Sequence, residues 1–213
     1  NTNESTHFDA SLPFVDLFKT SEPFRESSLS KGTVQYDANG WVKSLNGGEA
    51  GTYFIRWVPA DALPKGQYTV RYQGKGVISY KDNVKVVKHE ANQDIIEFPP
   101  NAANEVNAGL VITQSDPKDP IRNIQVTMPG GICQGNPFQA VNAPAQCGGK
   151  GYLSFADHAT TILFNPDYVE FMKQFKTVRF MNMSGITRND MQSWQQRPQV
   201  TQATWGGKEG KRG

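Results

Sequence analysis

The sequence predicts an all-β chain, a β-sandwich or jelly roll with a short C-terminal helix-strand appendage. Three observations predict it. Twenty glycines and thirteen prolines among 213 residues exceed average usage and mark many turns. Short runs of β-branched and aromatic residues recur between those turns, roughly eight to ten of them, which is the spacing of a sandwich or jelly roll. Apolar residues adopt convincing helical spacing only once, after Phe164.

The opening Asn1 to His7 is polar and reads as the start of a processed chain. Pro13 to Lys19 is densely apolar and reads either as a short helical turn or as an extended strap against the core. Thr33 to Tyr36 predicts a strand, Asp37-Ala38-Asn39-Gly40 a turn, and Trp41-Val42 the return strand. Thr52 to Trp57 alternates and places Tyr53, Ile55 and Trp57 on one face, with Trp57 expected in the core. Pro64-Lys65-Gly66 turns into a strand from Gln67 to Tyr72. Further strands are predicted at 77–80, 84–87, 95–98, 110–113 and 121–128. Lysines at 85 and 88 mark an edge strand. Asn165 caps a helix with Pro166 at its first position, and Tyr168, Phe171, Met172 and Phe175 recur along it. Thr177 to Met183 then reads as a strand. The organisation is therefore a β-sandwich domain over 1–164 and a helix-strand extension over 165–213, ending as a cut in a longer protein would.

Charge and motifs exclude several function classes. The net charge is +2, with local basicity only at Lys208 to Arg212, which leaves no clustered basic face for nucleic acid. No apolar stretch approaches the roughly eighteen residues of a membrane span. Gly148-Gly149-Lys150-Gly151 lacks the spacing of a phosphate-binding loop. His7, His89 and His158 are far apart, and no Gly-x-Ser-x-Gly nucleophile elbow occurs. Many carboxylates are present, yet no pair declares itself as the acid and base of glycoside hydrolysis, so no catalytic residue is assigned.

Cys133 and Cys147 are the two cysteines, separated by turn formers that cannot organise a loop by regular hydrogen bonding. A disulfide between them removes roughly 3 kcal/mol of unfolded-chain entropy and implies an oxidising compartment, extracellular or periplasmic. No cofactor is implied. Asp116 and Asp119 flank a Pro-rich turn and are the candidates for a calcium site. Trp41, Trp194 and Trp205 fall where no core pattern requires a tryptophan, and Asp37 and Asn39 stand beside Trp41. Flat rings beside hydrogen-bonding groups are what a sugar face needs, so these five are the candidate ligand-binding residues.

Several stretches resemble a known family. They are Pro13 to Lys19, Tyr36 to Trp41, Asp116 to Ile124 with Met128-Pro129-Gly130, Asn165-Pro166, and Val178 to Met181. They are similar to the N-terminal region of large secreted bacterial glycoside-hydrolase-like proteins, in which a β-sandwich precedes a (β/α)₈ barrel. Trp194 to Pro198, with Ala203 to Trp205, resembles the stretch after the first barrel strand. The resemblance implies that the catalytic carboxylates lie beyond this chain, on later strands. The function expected is a non-catalytic carbohydrate-binding or substrate-positioning module, its partner a polysaccharide or oligosaccharide. The alternatives are a structural brace for an absent C-terminal catalytic domain and a glycan-active hydrolase.

Overall fold

A computed structural model describes residues 12–29, 31–178, 193–197 and 199–204. In chain order the strands are β1 (Arg25–Glu26), β2 (Gln35–Tyr36), β3 (Val42–Ser44), β4 (Ala50–Pro59), β5 (Tyr68–Gln73), β6 (Gly76–Asp82), β7 (Lys85–Glu90) and β8 (Gln93–Glu97). They continue with β9 (Glu105–Ser115), β10 (Arg122–Thr127), β11 (Gly131–Cys133), β12 (Ala140–Val141) and β13 (Tyr152–Ser154). The α-helices are α1 (Phe155–His158) and α2 (Pro166–Met172).

These elements correct the expected sandwich or jelly roll. The strands divide among four separate antiparallel sheets, ordered β1-β4-β9-β6, β10-β5-β8-β7, β12-β11-β13 and β2-β3. No sheet closes into a barrel among the described residues. Two α-helices among the described residues complete the mixed architecture, and α1 lies inside the 1–164 span read as a β-sandwich domain, at a place where no helix was expected. The reason is local. The Asp37 to Gly40 turn folds back into its own two-stranded sheet, and the Cys133–Cys147 segment builds a third sheet around itself. Alternation along a sequence reports that strands exist, not how they are shared out.

One apolar core nevertheless runs through the middle. Phe54, Leu110 and Ile112 of the first sheet join Tyr68, Val70, Ile96 and Val126 of the second. Phe98 links them, with its ring centroid 6.0 Å from Phe54 and 4.4 Å from Tyr68. The strap at 13–20 combines both readings of that stretch. Phe14 bridges Phe164 and Asp16 bridges Thr127 in extended form, and Leu17–Thr20 then makes one 3-10 turn. Val15, Leu17 and Phe18 are buried beneath it. Asp16 fastens the strap, because its carboxylate accepts from Phe18 N at 3.0 Å and from Val126 N at 2.9 Å. Burial pushes this carboxyl up to about 6.

Trp57 is the clearest local correction. It is 43% exposed with φ +48°, not in the core. Register shifts between Tyr53 and Ile55, and again between Ile55 and Val58, bury Phe54 and Ile55 in succession. Those bulges break the period of two and turn the next aromatic outward. By contrast, β7 lies at the end of its sheet, where its lysines belong. Helix α2 starts as expected: Asn165 accepts from Asp167 N, and Pro166 occupies the first turn. The predicted strand after it falls mostly outside the described residues.

Candidate functional site

A concavity that carries mixed chemistry is a groove of about 610 Å³. One wall is the 3-10 turn Ala60–Ala62 after β4, continuing through Leu63, Pro64 and Lys65. Tyr68 holds that wall by donating its hydroxyl to Pro64 O at 2.8 Å. The floor comes from Met128, Pro129 and buried Phe155. Gly130 lets the floor approach β12: its φ is +92°, and a Cβ there would stand 2.7 Å from Val141 O. The opposite wall is Asn142 and the first turns of α2.

Each wall is braced from behind. Asn142 and Ala143 donate their backbone N–H groups to the Gln146 side-chain carbonyl, at 2.6 and 3.0 Å. The Cys133–Cys147 disulfide ties the same segment to β11. Asn165 fixes α2 by donating its N–H to Pro13 O at 2.9 Å and its amide to Leu12 O at 3.1 Å. The side chains facing the groove have different freedom. Asp61, Lys65, Asn142 and Asp167 are exposed, and none has a side-chain hydrogen bond or ion pair among the described residues. Tyr168 is half-buried, and burial raises its hydroxyl above the usual tyrosine range, so it remains a neutral donor. Phe171 is 53% exposed and meets Phe175 edge-on, at 5.2 Å and 66°.

Each of two other polar clusters is built around a buried, paired carboxylate. A cleft of about 180 Å³ on the β1-β4-β9-β6 sheet holds Glu22, Arg25, Arg56, Tyr53 and Lys81. Glu22 is buried and accepts from Arg56 Nε at 2.8 Å, with Arg25 at 3.6 Å. Arg56 also lies 3.9 Å over the Tyr53 ring. This cluster binds the Glu22 strap to β4. In the second cluster, buried Asp94 accepts from the Tyr80 hydroxyl and meets His89 Nδ1, both at 2.5 Å. It links the two four-stranded sheets. Burial and the Asp94 carboxylate both push the Tyr80 hydroxyl strongly upward.

The aromatic candidates read from the sequence separate. Trp41 is only 4% exposed, so its ring has no free face for a sugar. It stacks on Phe18 at 6.0 Å and 8°, and its indole N–H donates to Thr201 O at 3.2 Å. Asp37 is a turn carboxylate that accepts from Asn39 N and Trp41 N. Asn39 accepts from Ala203 N at 2.9 Å through its carbonyl. Trp41 and Asn39 thus meet residues 199–204, while Asp37 closes its own turn. Trp194 is 73% exposed, with the Arg197 guanidinium 4.3 Å over its ring. Trp205 lies outside the described residues. Asp119 pairs with Arg122 at 2.8 Å, while Asp116 accepts from Lys118 N in its own turn. No group of three His, Cys, Asp or Glu side chains fit to hold a metal forms among the described residues.

Sequence reasoning found Asn165, Tyr168 and Phe171 as helix residues but missed the groove they border. The available signal was the placing of Asp61 and Lys65 on either side of Pro64 in a turn.

No protein-family model, curated protein or solved structure matches this chain. The likeness to glycoside-hydrolase-like proteins is therefore corrected. It rested on short motifs, and the four sheets with no closed barrel do not build the architecture that those motifs implied. The disulfide stands, and it fits an oxidising, non-cytoplasmic environment. No helix among the described residues is long and apolar enough to cross a membrane.

Proposed function

We propose that this chain is a non-catalytic carbohydrate-binding module that holds a polysaccharide or oligosaccharide in the groove between the Ala60–Lys65 wall and α2. One observation carries the reading. Tyr168 and half-exposed Phe171 stand beside Asp61, Lys65, Asn142 and Asp167, whose side chains have no partner among the described residues. Sugar rings stack their C–H faces on aromatic rings, and their hydroxyls need nearby donors and acceptors. A groove of this volume falls within the range of specific small-molecule sites. Binding is favoured over hydrolysis because a glycosidase acid is kept protonated by burial opposite a second carboxylate. Asp61 and Asp167 are both exposed. The disulfide supports an extracellular or periplasmic setting, where polysaccharide is met.

The test is affinity electrophoresis and pull-down across soluble and insoluble polysaccharides, with Phe171→Ala and Tyr168→Ala alongside the parent chain. The reading expects retention by at least one glycan, lost in both variants at unchanged melting temperature. Retention that survives both substitutions removes the groove from the account.

A second reading has its own observation. Leu163, Phe164, Phe171 and Phe175 are all exposed by 47% or more around α2. Exposed apolar clusters mark contact surfaces, which favours bracing against a partner domain. Phe164→Ser separates the readings, since it leaves glycan binding intact and weakens only the docking of a partner.

A further inference from the structure

We infer that the ligand of this groove is a single, uncharged glycan chain in solution, not the face of a crystalline polymer and not a polyanion; the inference rests on the carbohydrate-binding reading above. Two independent features carry it. The first is ring geometry. A crystalline polysaccharide offers a flat sheet of sugar faces, and only coplanar rings can lie on it together. Phe171 is the half-exposed ring of the groove, and Phe175, which lies outside the groove lining, meets it at 66° and so does not extend it into a flat platform. Tyr168 is half-buried within the groove wall and cannot extend a flat platform beyond it. Such walls take one chain, whose successive sugars turn relative to one another.

The second feature is charge. The side chains lining the groove include two carboxylates, Asp61 and Asp167, one ammonium, Lys65, and no guanidinium. An acidic glycan carries negative charge on many of its sugars, and its recognition calls for arginine forks or several lysines. Here the carboxylates outnumber the cation, so a uronate or sulfated sugar meets net repulsion. Hydroxyls suit the same groups well, because carboxylate and amide oxygens accept from them while Lys65, Asn142 and Tyr168 donate to them. The cations Arg25, Arg56 and Lys81 are gathered in the other cleft, where Glu22 engages both arginines.

The deciding experiment is calorimetric titration of the chain with soluble hexasaccharides of β-1,4-glucan, β-1,4-xylan, β-1,4-mannan, β-1,3-glucan and agarose. Parallel binding isotherms use crystalline cellulose, crystalline chitin, alginate and polygalacturonate. The inference expects at least one neutral hexasaccharide to bind, with affinity changing less than about twofold between 0.15 and 0.5 M NaCl. Phe171→Ala should weaken that binding at least tenfold. Because Phe171 is half-exposed, the variant should fold, and its melting curve verifies this. Binding only to the crystalline polymers, or tighter to alginate or polygalacturonate than to every neutral chain, overturns this inference and leaves carbohydrate binding standing. Binding to nothing in the set overturns the carbohydrate reading itself, and this inference with it.

Discussion

Replacing Trp41 with alanine tests whether the sequence's leading ligand candidate is a structural tryptophan. The ring is 4% exposed, lies parallel to Phe18 and tilts against Phe24 at 6.4 Å. Truncating a buried tryptophan costs about 3–5 kcal/mol, from lost transfer free energy and the cavity left behind. The lost bond from the indole N–H to Thr201 O contributes about 1 kcal/mol within that range. A chain of this size loses roughly 2–4 °C per kcal/mol, so Trp41→Ala should melt about 6–20 °C below the parent. Trp41→Phe keeps an aromatic ring and loses the hydrogen bond, so its loss should be less than half as large. Calorimetric unfolding of the three proteins, with glycan titration of each at a temperature where all are folded, provides the readout. The reasoning is refuted if Trp41→Ala melts within about 2 °C of the parent, or if it loses glycan affinity while keeping its melting temperature.

Three further outcomes follow from buried charge and from the crosslink. The Asp16 carboxyl is raised from 3.8 to about 6 by burial, so the folded chain holds a proton that the unfolded chain releases. Its contribution to stability is therefore full below about pH 4 and falls as pH rises through 6, a change on the order of 3 kcal/mol. Asp16→Asn keeps an acceptor for Phe18 N and Val126 N, and should gain stability over the parent by up to that amount between pH 4 and 8 in denaturant titrations; a flat difference contradicts the buried charge. Arg56→Leu should cost about 3 kcal/mol by stranding buried Glu22, with much of the loss recovered in the Glu22→Leu, Arg56→Leu double variant. If the double variant unfolds as easily as the single, the ion pair is not the cause. Reducing Cys133–Cys147 should cost roughly 3 kcal/mol, and thiol titration of the unfolded, unreduced chain should find no free thiol.

Much of the local structure was legible because it depends on neighbours in sequence. The Asn165 cap with Pro166 located α2, the Asp37 to Gly40 turn located the β2-β3 pairing, and the turn-rich loop paired Cys133 with Cys147. What was not legible depends on partners distant in the chain. Trp57 faces out because β4 bulges against β9, and Trp41 is buried where Phe18 stacks on its ring and Thr201 O accepts from its indole N–H. Nothing near Trp41 in sequence announces either contact. The division into four sheets was hidden for the same reason, since the partner of a strand is a long-range choice. The groove escaped notice because its walls, at Asp61 and at Asp167, are about a hundred residues apart.

The central claim, that the groove beside α2 is where a glycan binds, is tested most directly by mapping backbone and side-chain chemical shifts during titration with a neutral oligosaccharide. The account predicts saturable shifts concentrated at Asn142, Tyr168 and Phe171 and at Asp61 across the groove, with the Trp41 indole N–H unmoved. Shifts gathered at Trp194, or in the Tyr53–Lys81 cleft, while those groove signals stay still, would contradict it.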